Sequence, residues 1–311
     1  MGPTMPLPIE EIIAELSNSD KPLLNSRLAE LSNLNSAELE LFERSWAAIE
    51  PERRRQIVHR LVDMAEDNLI LNFDSILKHC LEDRDDEVRS KAIEGLWENE
   101  EASLIEPLIN LLEQDSSENV QAAAAAAMGK FAILAEHNKL RSCHVTRIQQ
   151  ALLAAISDKD KPVDVRRRAL ESVAPVSLPE VKQAIMDAYQ SSDSRLRISS
   201  VYAMGKSCDP SWLPLLLKEL ASADVEVRYE ATGACGELEE ETAVPFLEKL
   251  VDDFDADVRM AAIQALGKIG STQARDCLKQ CLESDSEVVR QTAEQVLNEL
   301  ETREDPLSFR S

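Results

Sequence analysis

Apolar residues recur along this chain on two scales: with the turn of an α-helix, and again every 31 residues. The phrases DDEVRSKAIEGL, DSRLRISSVYAMGK, DVEVRYEATGACGE, DADVRMAAIQALGK and DSEVVRQTAEQVLN repeat one pattern. The aliphatic residue before the arginine serves as an anchor. Val165, Leu196, Val227, Val258 and Val289 stand 31 apart, as do Ile57 and Val88. Val120 follows Val88 by 32 and precedes Val165 by 45, so the series has eight anchors and one insertion of 14 residues. A period of this length is the signature of a solenoid, in which each unit is too small to bury its own apolar stripe and leans on its neighbours.

Each unit reads as two helices, the second starting near the anchor. Counting the anchor as position 0, positions +4, +7, +8 and +11 share one helical face. Position +4 is Leu61, Ala92, Ala124, Ala169, Ser200, Ala231, Ala262 and Ala293; seven of these eight are small, which lets helices approach closely. Position +8 is apolar throughout, from Ala65 and Leu96 to Leu266 and Leu297. Three residues before the anchor stand Asp85, Ser117, Asp193, Asp224, Asp255 and Ser286, side chains that cap a helix N-terminus. Pro107, Pro214 and Pro245 each lie 13 before an anchor, where proline is accepted in the first turn of the preceding helix.

The pattern predicts an all-α, right-handed α–α superhelix of about eight helix pairs, continuous over residues 38–300. Residues 1–37 are expected to form an N-terminal helical cap, with an acidic helix over Pro8 to Ser17. The insertion is expected near 132–147, as a longer second helix plus a loop, and residues 301–311 as a polar tail.

The phrase Asp255-Ala-Asp-Val258-Arg259-Met-Ala-Ala262-Ile-Gln-Ala-Leu266-Gly267 resembles the HEAT repeats of the phycobilisome-lyase-like, 31-residue type. The resemblance covers 38–300 and implies an armadillo-like helical solenoid. It also implies a structural ladder, in which the arginine after each anchor bonds to a turn residue. Arg89, Arg166, Arg197, Arg228, Arg259 and Arg290 match that position, whereas Val58 and Gln121 depart from it. Candidate partners stand five before each anchor: Asp83, Asp115, Asp160, Ser191, Ser222, Asp253 and Ser284.

Enzymes are built on such repeats too, and the chain's residues speak against each kind. Deoxyhypusine hydroxylases hold iron through repeated His-Glu pairs, but none of His59, His79, His137 and His144 is followed by Glu. HEAT-like DNA glycosylases need a basic concave surface. Here 34 Lys and Arg face 58 Asp and Glu, a formal net charge of −24, which opposes attraction to nucleic acid or to an anionic membrane. The basic runs Arg53-Arg54-Arg55 and Lys161 to Arg168 read as solvated helix starts. His137, Cys143 and His144 lie by the insertion but match no zinc spacing. Cys277 and Cys281, one turn apart, read as buried small hydrophobes, since Phe246 and Leu250 hold the same column one unit earlier. No catalytic residue, cofactor site or metal site is expected. Six cysteines without a CxxC, no signal sequence and no membrane span fit a cytoplasmic chain with reduced thiols.

A non-catalytic scaffold or adaptor that binds a protein or peptide on the concave face of an acidic solenoid is therefore the leading expectation. An accessory, lyase-like subunit handling a prosthetic group, or assisting maturation of a partner enzyme, is the alternative. Oligomeric state is open. Positions +2, +6 and +9 point away from the core, and there Trp97, Ile198, Tyr202, Tyr229 and Met260 replace the expected polar residues, beside Gly129, Gly205, Gly236 and Gly267. These five are the expected partner surface, with the glycines either leaving open backbone for a groove or serving close packing.

Overall fold

The computed structural model describes residues 9–304. Pro8 and the rest of residues 1–8 of the expected cap, and residues 305–311 of the expected tail, lie outside the described residues. Among the described residues there are eighteen α-helices, four short 3-10 turns and no strand. The N-terminal helices are α1 (Ile9–Leu16) and α2 (Asn25–Leu28). Eight pairs follow: α3 (Ser36–Trp46) with α4 (Pro51–Asp67), α5 (Asp74–Cys80) with α6 (Asp86–Gly95), α7 (Ile105–Gln114) with α8 (Glu118–Glu136), and α9 (Ser142–Ser157) with α10 (Val163–Val173). The later pairs are α11 (Pro179–Tyr189) with α12 (Ser194–Lys206), α13 (Leu213–Glu219) with α14 (Val225–Leu238), α15 (Val244–Leu250) with α16 (Ala256–Ile269), and α17 (Thr272–Cys281) with α18 (Glu287–Glu304). This is the all-α superhelical repeat fold.

The anchors and the +4 column are the core of the stack. All eight anchors are at most 4% exposed, and every +4 residue, Ser200 included, is at 0%. Second helices pack on second helices (α4 on α6, α6 on α8, α12 on α14, α14 on α16, α16 on α18), and a small +4 residue serves that packing in every second helix but α4, which has Leu61. The caps are made largely as the aspartates require. Asp85 accepts from the Val88 amide, Asp193 from Arg195, Asp224 from Glu226, and Asp255 from both Asp257 and Val258. Ser117 departs: it caps no amide, and its hydroxyl donates instead to Asp86 at 2.9 Å.

Contacts divide the chain into two compact units, Met1–Ala155 and Ile156–Ser311. The division falls inside α9, within the one long anchor spacing. α8 continues for 19 residues to Glu136 and the chain then turns through residues 137–141, with Asn138 at φ 56°, before α9 begins.

In the first unit the run Arg53-Arg54-Arg55 is not a solvated helix start. Arg53 and Arg54 are 5% and 7% exposed. Arg53 donates to the carbonyls of Leu16 (2.7 Å) and Lys21 (2.9 Å), tying the N-terminal helices to α4. Arg54 donates to the Ile49 carbonyl at 2.6 Å and pairs with Asp83 at 3.0 Å, while Arg55 grips the Asp85 carboxylate through two nitrogens. Carbonyls at the end of α1 and before α4 need donors, and the Arg53 and Arg54 guanidiniums supply them.

Candidate functional site

The arginine after each anchor behaves according to what the next turn offers. Arg89 grips Asp115 with two bonds of 2.7 Å and donates a third to the Asp83 carbonyl. Arg228 does the same with Asp253, at 3.0 Å twice, and with the Ser222 carbonyl. Arg259 and Arg290 donate to the backbone of their own turns, at Asp253 and Ser284, and Arg166 to the Ile156 carbonyl. For Arg166, Arg197 and Arg259 the next turn holds Ser191, Ser222 and Ser284, which offer no carboxylate. In the two units that lack the arginine, others take its place. Gln121 donates to the Asp115 carbonyl, and Arg54, one turn before Val58, holds Asp83 together with the Trp46 indole.

Of the five expected partner residues none is buried. Trp97 is 61% exposed and belongs to the first unit; Tyr229 is 44% exposed, and Ile198, Tyr202 and Met260 are half-buried, all four in the second unit. Those four project from α12, α14 and α16 on the side opposite the anchors. Gln264 is exposed beside them, and Gly233 on α14 has no atom within 4 Å of where a Cβ would sit. Gly205, Gly236 and Gly267 are not open backbone. A Cβ on Gly205 would lie 2.6 Å from the Ala234 Cα, one on Gly236 would lie 2.8 Å from the Ala265 Cα, and one on Gly267 would run into Val296. Position +9 of one unit thus packs on position +7 of the next, and of the two readings of these three glycines the structure has close packing.

Charged groups line the same side of α10, α12, α14 and α16. Ser199 donates to Glu171 at 2.5 Å and accepts from Arg167 at 3.2 Å. Lys206 and Lys268 both donate to one Glu237 oxygen at 2.9 Å, and the Lys206 ammonium lies 5.6 Å from the Tyr202 ring centre. Burial and the neighbouring Glu171 charge push the Glu230 carboxyl up to about 6, against the pull of Arg167 and Lys206. Burial likewise raises the Tyr202 phenol. Sequence reasoning passed over Glu230, because its role depends on residues from two other helices.

Elsewhere the candidate chemistry stays apart. His137, Cys143 and His144 join no cluster: among the described residues no three His, Cys, Asp or Glu side chains are placed to hold one metal ion. All six thiols are free. Burial pushes Cys281 up to about 11 and Cys235 up to about 12, so these are inert at neutral pH. Cys277 and Cys281 are each 6% exposed. No described helix is long and apolar enough to cross a membrane. The sequence reading also missed Leu69 and Ile70, 86% and 83% exposed, and Phe254, fully exposed in the turn before α16. They lie outside the periodic positions; the three adjacent aliphatics Leu69, Ile70 and Leu71 between Asn68 and Asn72 were the available signal.

Residues 73–141 and 213–298 match the family of HEAT repeats. The match is to the family at large, and it falls on helix pairs in both units. Among solved structures, the chain is similar to Kap95p, in a complex in which Kap95p binds RanGDP, with 14% identity and a TM-score of 0.54; the match covers 96% of this chain and 46% of that one. It is also similar to YibA of E. coli, at 14% identity and TM-score 0.44, covering 96% of this chain and 99% of that one. Human deoxyhypusine hydroxylase aligns at 18% identity and TM-score 0.36 over 84% of this chain and 95% of its own. The likeness to Kap95p shows a shared repeat fold. Comparison with curated proteins finds no match.

Proposed function

We propose that this chain is a non-catalytic scaffold that holds a protein or peptide partner along the exposed side of its second helices. In the second unit the seat is formed by Ile198, Tyr202, Tyr229 and Met260. The observation that carries the reading is the placement of these four. Anchors and +4 residues of the same helices are sealed, yet large apolar and aromatic side chains stand uncovered or half-covered on the opposite side. Gly233 leaves room beside them. Tyrosine and methionine offer large contact area at low entropic cost, and solenoids present extended surfaces of this kind. The flanking carboxylates and amines, already paired with one another around Glu237 and Glu171, would form a polar rim.

Affinity capture from the source organism tests the reading, with wild type and Tyr202→Ala/Tyr229→Ala compared by quantitative mass spectrometry. A discrete protein retained by wild type and lost by the variant, at unchanged melting temperature, is the expected result. Equal retention by both would remove these residues from the seat. The same purified material, examined by absorbance and metal analysis, separates the accessory-subunit reading, which requires a co-purifying chromophore or a stoichiometric metal.

A further inference from the structure

In the first unit, two loops that each lead from a second helix to the next first helix hold out large apolar side chains. Leu69 and Ile70 follow α4; Trp97 follows α6. Single exposed hydrophobics are ordinary, but three of this size at 86%, 83% and 61% exposure, on neighbouring loops, are not. Leu69 and Trp97 flank a hollow of about 280 Å³ floored by Val62, Phe73 and Leu77. Gly95 permits that floor, since a Cβ there would meet Val62 at 2.5 Å and Leu77 at 2.8 Å.

Both loops are held in place. Asn68 accepts from the Ile70 amide at 3.1 Å, and Asn72 accepts from Asp74 at 3.0 Å. The Asn72 amide donates to Ser32 and its carbonyl accepts from Asn33, both at 2.9 Å. Across the hollow, Asn99 donates to Asp74 at 2.6 Å, and Lys130 donates to the carbonyls of Leu96 (2.6 Å) and Trp97 (3.2 Å). A surface fixed before binding loses little entropy on binding.

The charge around the hollow selects the occupant. Among the described residues, Glu66, Asp74 and Glu98 line it, and no Lys or Arg does. That arrangement opposes an anionic lipid surface, which attracts basic segments and repels acidic ones. A second copy of this chain would bring the same carboxylates and another −24 of charge against it. The hollow is also at the small end for a free small-molecule ligand, and suits one or two inserted side chains. We infer that the Leu69–Ile70–Trp97 surface docks a cationic amphipathic segment of a protein partner, with an aliphatic or aromatic side chain in the hollow and Lys or Arg against Glu66 and Glu98. Arg or Lys can also lie on the open face of Trp97. This surface is in a different unit from the tyrosine row, and neither proposal depends on the other.

Trp97 reports on its own occupancy, because Trp46 and Trp212 are each only 2% exposed. The probes are a synthetic Leu/Lys amphipathic peptide, its Leu/Glu counterpart, and phosphatidylcholine/phosphatidylserine vesicles. The Leu/Lys peptide is expected to shift Trp97 emission to the blue and shield it from acrylamide, less so as salt rises. Leu69→Ser/Ile70→Ser is expected to weaken that binding about tenfold or more, and Glu66→Lys/Glu98→Lys to abolish it, with melting temperatures unchanged because all four residues are exposed. An equal response to the Leu/Glu peptide or to vesicles, a concentration-dependent shift of the protein alone, or wild-type affinity in Leu69→Ser/Ile70→Ser would each overturn the inference.

Discussion

Two glycines in one helix have opposite roles. Gly236 faces the Ala265 backbone at a distance no Cβ tolerates, whereas Gly233, three residues earlier in α14, faces open space. Gly236→Ala must push α14 off α16 and is expected to cost about 1–3 kcal/mol, the usual cost of overpacking. Gly233→Ala only removes backbone freedom from the unfolded chain and is expected to gain about 0.5–1 kcal/mol. Urea unfolding of both variants checks the pair of signs. Glu230 gives a second expectation at this scale. Its folded pKa, about 6, lies above the ordinary glutamate value because burial and Glu171 disfavour its charge. A raised carboxyl pKa contributes stability that is fully present below the unfolded value and is lost as pH rises through the folded one. Glu230→Gln is therefore expected to melt higher than wild type at pH 7.5, with the gap closing by pH 4.5; thermal melts at the two pH values read it directly. A gap independent of pH would contradict the account.

Between helix pairs, the arginine rungs divide into two kinds. Arg89–Asp115 and Arg228–Asp253 are bidentate and nearly sealed, with side chains at 11%, 5%, 13% and 8% exposure. Burial raises the Asp253 carboxyl, but the Arg228 pair and the Asp255 amide outweigh it and hold it below the ordinary value. Removing one partner of such a pair leaves a buried charge, so Asp253→Asn is expected to cost about 2 kcal/mol. Ser222→Ala removes only a hydroxyl that accepts from the Asp224 amide at 3.3 Å, and is expected to stay within about 0.5 kcal/mol. Chemical denaturation of the two variants separates the kinds of rung. The repeat itself was legible in the sequence because the 31-residue spacing reports directly which residues are sealed: the +4 column is buried in all eight units. The burial of Arg53 and Arg54 was not legible. It depends on where the carbonyls of Leu16 and Ile49 fall, which no local pattern records. The packing of Gly205, Gly236 and Gly267 on +7 residues was likewise hidden, since it follows from the distance between successive second helices.

For the whole molecule, the fold settles less about function than the side chains it leaves uncovered. Each unit seals its anchors and small residues and leaves large apolar side chains uncovered, among them Leu69, Ile70 and Trp97 in the first and Tyr229 and Phe254 in the second. Tyr229 was visible in the sequence as a large side chain at an outward helical position; Trp97, counted at such a position, lies instead in the loop past Gly95, the last residue of α6, and Leu69 and Ile70 likewise sit past a helix end, where the repeat imposes no orientation. The division of the chain inside α9 lies at the one interruption of the 31-residue spacing, and the spacing alone did not show that contacts would separate there. The binding role of the second-helix side is the central claim. It is tested most directly by a photo-reactive phenylalanine analogue placed in turn at Tyr229 and at Phe246, a residue of similar exposure (42%) on the first helix α15. In lysate of the source organism, the account predicts one discrete cross-linked adduct from position 229 and none from position 246. An adduct from position 246 with none from position 229 would contradict it.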